Sequence, residues 1–172
     1  MIIVVFGLPG TGKTRFSRLL GNELNAIHLN TDIVRDELGK KGNYSEKSKQ
    51  QVYDRLMEKS LKELDRGNNI ILDGTFHKKD RREKIKNIAS ETGNDIFFIE
   101  MIASEQTIAG RLEKKRIHSE ADLKVYRKVR EESDIMEEDH LVLHSDSEPE
   151  EGMIIRAKNY IHGNQANTCP VK

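Results

Sequence analysis

Apolar residues recur along the chain in two alternating rhythms. Short runs at Met1–Phe6, Ala26–Leu29, Asn69–Asp73, Asp95–Met101 and Leu141–His144 predict strands. The first is continuous, β-branched and closed by Gly7, the pattern of a strand buried on both faces. Between these runs the spacing changes to i, i+3, i+4. Phe16, Leu19, Leu20 and Leu24 share one face of a helix over Lys13–Leu24. Val52, Tyr53, Leu56, Met57, Ser60, Leu61 and Leu64 form a longer stripe on a helix opened by Ser45 and closed by Gly67. Further helices are predicted over Thr31–Leu38, with Asn30 or Thr31 as N-cap, over Lys78–Thr92 and over Ser104–Arg116. Ser119 with Asp122 three residues later has the form of a capping box for another. Pro149 fits the first turn of a last helix reaching about His162, and residues 164–172 read as a flexible tail.

Strands that alternate with helices predict a parallel sheet covered on both faces, a doubly wound α/β domain. The chain has 172 residues, the size of one domain, here expected over residues 1–163. Its 29 Lys and Arg balance 29 Asp and Glu, which argues against a protein that coats nucleic acid through overall charge and leaves room for a local basic groove. A single cysteine, Cys169, excludes a disulfide framework and argues against a Cys-ligated metal. The longest apolar run is far shorter than the ~20 residues that span a bilayer. The expectation is a cytoplasmic protein without a membrane partner.

The strongest chemical signal is Gly7-Leu8-Pro9-Gly10-Thr11-Gly12-Lys13-Thr14, a complete G-x-x-x-x-G-K-[ST] pattern between a predicted strand and a predicted helix. Gly7, Gly10 and Gly12, with Pro9 and Thr11, would curl the backbone so that successive N–H groups meet phosphate oxygens. The helix adds its positive N-terminal end. Lys13 would reach the β- and γ-phosphates, and the Thr14 hydroxyl would ligate Mg²⁺.

Other residues gather at the same edge of the predicted sheet. Asp73 ends a buried strand, where open α/β sheets bind ligands, and is a second candidate for Mg²⁺. Asp32 follows the second strand and could accept a proton from an attacking hydroxyl; Arg35, one turn later, could hold a substrate anion. Arg111, Lys114, Lys115 and Arg116 suggest a cationic lid over about residues 111–125, with a solvated basic face as the alternative. The run Lys78-Lys79-Asp80-Arg81-Arg82-Glu83-Lys84 reads mostly as a solvated helix face, with one arginine turned to the cleft. His77 reads as a polar cap rather than a base. The acid-rich stretch Glu131–Glu151 reads as solvated surface.

Taken in order, GLPGTGKT, NTDIVRDEL, ILDGTF followed by HKKDRR, and GRLEKKR followed by SEAD resemble the small P-loop kinases over about residues 2–162. The likeness is to polynucleotide 5′-kinases and their relatives, the zeta-toxin-like kinases, chloramphenicol phosphotransferase, and gluconate and shikimate kinases. It implies a three-layer α/β/α sandwich with a five-stranded parallel sheet in the order 2-3-1-4-5 and a helical lid. It implies Mg-ATP as donor and a hydroxyl acceptor, with the 5′-OH of a nucleic acid as one form and a sugar, sugar-nucleotide, antibiotic or metabolite as another. By that resemblance Asp32 is the general base and Arg35 positions the acceptor. A lid cation, Arg116, Arg111 or Lys115, reaches the phosphates; Arg111 could instead stack on adenine near Ser145–Ser147. A nucleoside monophosphate kinase and a GTPase-type switch are minor alternatives; Asp36-Glu37-Leu38-Gly39 matches D-x-x-G, but no N-K-x-D motif occurs. The oligomeric state is left open.

Overall fold

The apolar runs become five strands, β1 (Ile2–Phe6), β2 (Ile27–Asn30), β3 (Ile70–Asp73), β4 (Ile96–Ile102) and β5 (His140–His144). Around them lie α1 (Lys13–Leu24), α2 (Thr31–Glu37), α3 (Glu46–Asp65), α4 (Lys79–Glu91), α5 (Glu105–Glu113), α6 (Leu123–Glu131) and α7 (Glu150–Asn167). This computed structural model describes residues 1–113 and 123–167. Arg116, most of the expected lid and the Ser119 capping box lie outside the described residues.

The strands form one sheet in the order β2-β3-β1-β4-β5, every neighbouring pair parallel. β1 and β3 are buried along their whole length, as continuous apolar runs at a sheet centre must be. Alternation divides their side chains between two cores. Ile2, Val4, Phe6, Ile70 and Leu72 meet Val52, Tyr53, Leu56 and Met57 of α3 and Ile85 and Ala89 of α4. Ile3, Val5 and Ile71 meet Phe16 and Leu20 of α1 and Met153, Ala157 and Ile161 of α7. Adjacent strands β1 and β3 therefore send the chain to opposite faces of the sheet. A crevice opens beyond their carboxyl ends, at the topological switch point.

Most expected boundaries agree with the structure to within a residue or two. The last helix differs: it continues to Asn167 rather than ending near His162. The last residue it gives to the buried core is Ile161, and the helix continues through Gly163 instead of stopping there. None of the described helices is long and apolar enough to cross a membrane.

The basic run of α4 is less solvated than its composition suggests. Arg82 is 1% exposed. Its Nε donates to Glu138 Oε2 at 3.0 Å, its Nη1 to the Phe76 carbonyl at 3.1 Å and its Nη2 to the Ile135 carbonyl at 2.8 Å. The acid-rich stretch is correspondingly not plain surface. Glu138 is buried against Arg82, and Asp134 accepts from the Lys79 amide at 2.8 Å, capping α4. Charge composition misled here because an ion pair buries both partners together, which neither segment reveals alone. Arg82→Ala should leave the Glu138 carboxylate buried without its main partner and destabilise the fold by about 3 kcal/mol. The expected readout is a lower chemical-denaturation midpoint with an unchanged slope; a midpoint equal to the parent's would refute the strut.

Candidate functional site

The loop between β1 and α1 turns back on itself through glycines at φ 139°, 84° and 89°. At Gly7 a Cβ would stand 2.3 Å from the Met101 carbonyl oxygen, so the loop passes too close to β4 for any other residue. Thr11 Oγ1 and Lys13 Nζ each donate to the Leu8 carbonyl at 2.8 Å, closing the loop into a ring. No side chain caps α1, whose first N–H groups are left for a ligand. Burial holds the Lys13 ammonium below its ordinary pKa, although the Asp73 and Asp32 carboxylates push it up. From the far side α5 braces the loop. Arg111 Nη1 donates to the Gly10 carbonyl at 3.2 Å and to Ser145 Oγ at 2.8 Å, and Nη2 to the Ser145 carbonyl at 2.9 Å. Arg111 thus joins the loop to the chain after β5.

Across the crevice, Asp73 ends β3 in register with Asn30 at the end of β2. The Asp73 carboxylate is 1% exposed; its Oδ2 accepts from Asn30 Nδ2 at 2.5 Å and from His28 Nε2 at 3.1 Å. Burial alone would raise its pKa. The His28 bond, the Lys13 charge and the Asn30 bond outweigh burial and hold it below the usual carboxylate value. The Asn30 amide nitrogen also lies 3.4 Å from Thr14 Oγ1, and its oxygen accepts from the Asp32 and Ile33 amides at 2.8 and 3.0 Å. One side chain therefore ties the strand-end carboxylate, the loop hydroxyl and the start of α2 together. The sequence pointed to Asn30 only as a cap, and to His28 not at all.

These groups open onto a cavity of about 1100 Å³. Gly10, Gly12, Lys13, Thr14 and Asp73 line one end, and Asp32 lines the same space from the first turn of α2. Arg35 lines it too but is partly committed elsewhere. Its guanidinium lies 4.6 Å over the Tyr44 ring, and Nη1 donates to the Asn43 carbonyl at 2.8 Å. Arg81 is the arginine of the basic run that faces the cavity, while Arg82 turns into the fold. His77 does not cap α4, whose N-cap is Lys78; it lines the cavity with Nδ1 3.1 Å from Thr75 Oγ1. The turn that allows this passes through Phe76 at φ 41°, a conformation rare for a bulky residue. Phe76 buries its ring against Tyr53 at 5.3 Å while Thr75 and His77 face the cavity. No periodic signal marks such a kink.

A family model described as an AAA domain matches residues 2–134. The chain belongs to this AAA domain family. Within the curated relatives, the AAA domain resembles the adenylate kinase of Petrotoga mobilis, 29% identical over 126 residues, 68% of this chain and 59% of that protein. The chain thus spans about three fifths of that relative's length. Among solved structures it is similar to a gluconokinase from Sinorhizobium meliloti 1021, with TM-score 0.74, 14% identity and coverage of 96% and 93% of the two chains. It is also similar to the Mycobacterium tuberculosis APS kinase in complex with AMPPNP and APS, with TM-score 0.71, 16% identity and coverage of 94% and 96%. The fold of the AAA domain is that of the P-loop kinases.

In the AAA domain's cavity His77 reports the local potential. Burial first, then the cations of Arg81, Lys49 and Lys78, lower its pKa from 6.5 to about 4, so the ring is neutral at pH 7. The unfolded chain takes up this proton near pH 6.5 and the native chain only near pH 4. The stability it contributes is complete above about pH 6.5 and is lost as pH falls toward 4. A ring-proton NMR titration of His77 should have its midpoint near 4, and His77→Gln should remove this part of the acid destabilisation. A midpoint near 6.5 would contradict the buried, cation-flanked setting.

Proposed function

We propose that this AAA domain is an ATP-dependent kinase that transfers the γ-phosphate of Mg-ATP to a hydroxyl group. The carrying observation is the Asn30 side chain, which gathers Thr14 and Asp73 at the mouth of a phosphate loop while presenting Asp32 to the same cavity. The donor set suits magnesium. Thr14 supplies a hydroxyl and Asp73 an ionised carboxylate, both hard oxygen ligands. Among the described residues no group of three or more His, Cys, Asp or Glu could hold a metal alone, so the ion would share its shell with nucleotide phosphates and water. Magnesium held there would neutralise charge on the β- and γ-phosphates.

The chain's own residues then do the remaining work. The loop amides and the α1 N-terminus hold the phosphate tail, and Lys13 leaves the Leu8 carbonyl to meet the β- and γ-phosphates. Arg111, beside Gly10 and Ser145, borders the nucleotide end. Asp32 accepts the proton of the acceptor hydroxyl as its oxygen attacks phosphorus, and Arg35 orients the acceptor from its seat on Tyr44. Arg116 is the further lid cation in this reading. The gluconokinase and APS kinase likenesses support an alcohol acceptor. A nucleic acid 5′-OH is the finer form, supported by the cationic lining of Arg35, Lys49 and Arg81. The adenylate kinase likeness favours a nucleoside monophosphate acceptor as the second reading.

The test is transfer of labelled γ-phosphate with Mg²⁺ to a 5′-OH oligonucleotide, to sugars and other small alcohols, and to AMP. Label in an alcohol product is expected, and label in ADP formed from AMP would favour the second reading. Lys13→Ala should abolish transfer in a folded protein. Asp32→Asn should keep ATP affinity and lose ~10²-fold or more in kcat. A rate within a few-fold of the parent would overturn Asp32 as the base.

A further inference from the structure

The half of the cavity away from the phosphate loop is cationic beyond what the transfer step uses. Arg81 is 7% exposed, and its guanidinium lies over the Tyr53 ring, 4.3 Å from the centroid. Stacking fixes the plane and leaves the N–H donors at its edge. Among the described residues those donors make no hydrogen bond, and the charged partner of Arg81 is Glu46, 3.6 Å away. A buried arginine ordinarily ends in a short, paired contact to a well-held anion. Glu46 is a weak substitute. Its side chain is 80% exposed, and its other oxygen is bound by Lys49 Nζ at 2.6 Å. One exposed carboxylate therefore bridges two cations that both line the cavity.

His77 faces the same space. Thr75 engages its Nδ1, which leaves Nε2, and burial first, then the surrounding cations, keep the ring neutral. Glu132 also lines the cavity and acts on His77, but Lys128 lies 3.8 Å from it and its pull on the ring is outweighed by Arg81, Lys49 and Lys78.

We infer that Arg81, Lys49 and His77 form a subsite for a phosphate ester group carried by the acceptor, which displaces the Glu46 carboxylate on binding. A carboxylate would be satisfied by the arginine edge alone. Guanidinium, ammonium and, with Nδ1 accepting from the Thr75 hydroxyl, the imidazole Nε2–H are three separate donors and match the three terminal oxygens of a phosphate monoester. The inference rests on the kinase reading, since it assigns this phosphate to the molecule whose hydroxyl is phosphorylated. The acceptor class is then a phosphorylated alcohol.

The experiment is calorimetric titration of inorganic phosphate, at fixed ionic strength, into full-length protein saturated with Mg-AMPPNP, so that the phosphate loop is filled. Saturable binding of one phosphate is expected. Arg81→Gln should weaken it ~10-fold or more, and Lys49→Gln several-fold, with AMPPNP affinity unchanged in both. Absence of saturable binding, or equal binding in wild type and both variants, overturns the subsite. If Arg81→Gln fails to fold, Lys49→Gln decides alone. Failure of the kinase reading is seen separately, as wild-type protein that does not bind AMPPNP. Phosphate is then titrated into the protein without nucleotide, and loss of that binding in Lys49→Gln and Arg81→Gln still decides the subsite.

Discussion

A carboxylate buried at the end of a central strand is the constraint around which this site is arranged. Asp73 cannot hold its charge in the interior unless donors surround it. Those donors come from β2, through His28 and Asn30, and from the phosphate loop, through the nearby Lys13 charge. Because Asn30 uses its remaining donor and acceptor capacity on Thr14 and the first amides of α2, satisfying Asp73 also sets the loop hydroxyl and Asp32 in place. The register of β2 against β3 is thereby coupled to the chemistry. A slip of one residue would turn the Asn30 side chain to the other face and leave Asp73 without its shortest bond.

The two cores serve the same end. β1 passes to α1 on one face and β3 passes to α4 on the other, so the loop that cradles phosphate and the segment that carries His77 and Arg81 diverge from neighbouring strands. The cavity between them has two distinct ends. One is lined by backbone amides and the groups around Asp73, the other by long side chains laid on tyrosine rings. Phe76, strained at φ 41° and fully buried, holds the second end in shape by anchoring the kink between β3 and α4 in the core.

Much of this was legible from the residues in order. Continuous apolar strands, an i, i+3, i+4 stripe and a complete phosphate-loop pattern carry their meaning locally, and they predicted the sheet, its order by resemblance, and the loop. What stayed hidden depends on contacts between distant segments. Arg81 and Arg82 are adjacent and alike in sequence, yet one stacks on Tyr53 and the other pairs with Glu138, 56 positions away. Asn30 read as a cap because its cap bonds are to the next residues, while its bonds to Thr14 and Asp73 span 16 and 43 positions. His77 read as a cap because the left-handed turn at Phe76 that redirects it leaves no trace in hydrophobic spacing.

The strut from Arg111 to Ser145 has a consequence for where this unit can be divided. The family match stops at residue 134, but the architecture does not. Beyond that point lie β5, Glu138 beneath Arg82, Ser145 behind the phosphate loop, and Met153, Ala157 and Ile161 of one core. A polypeptide cut at the limit of the match would keep every motif residue and lose the edge strand, half the packing on one face and the brace behind its nucleotide loop. A form of this domain that keeps both cores and this brace therefore extends into α7, past the border that sequence similarity alone would draw.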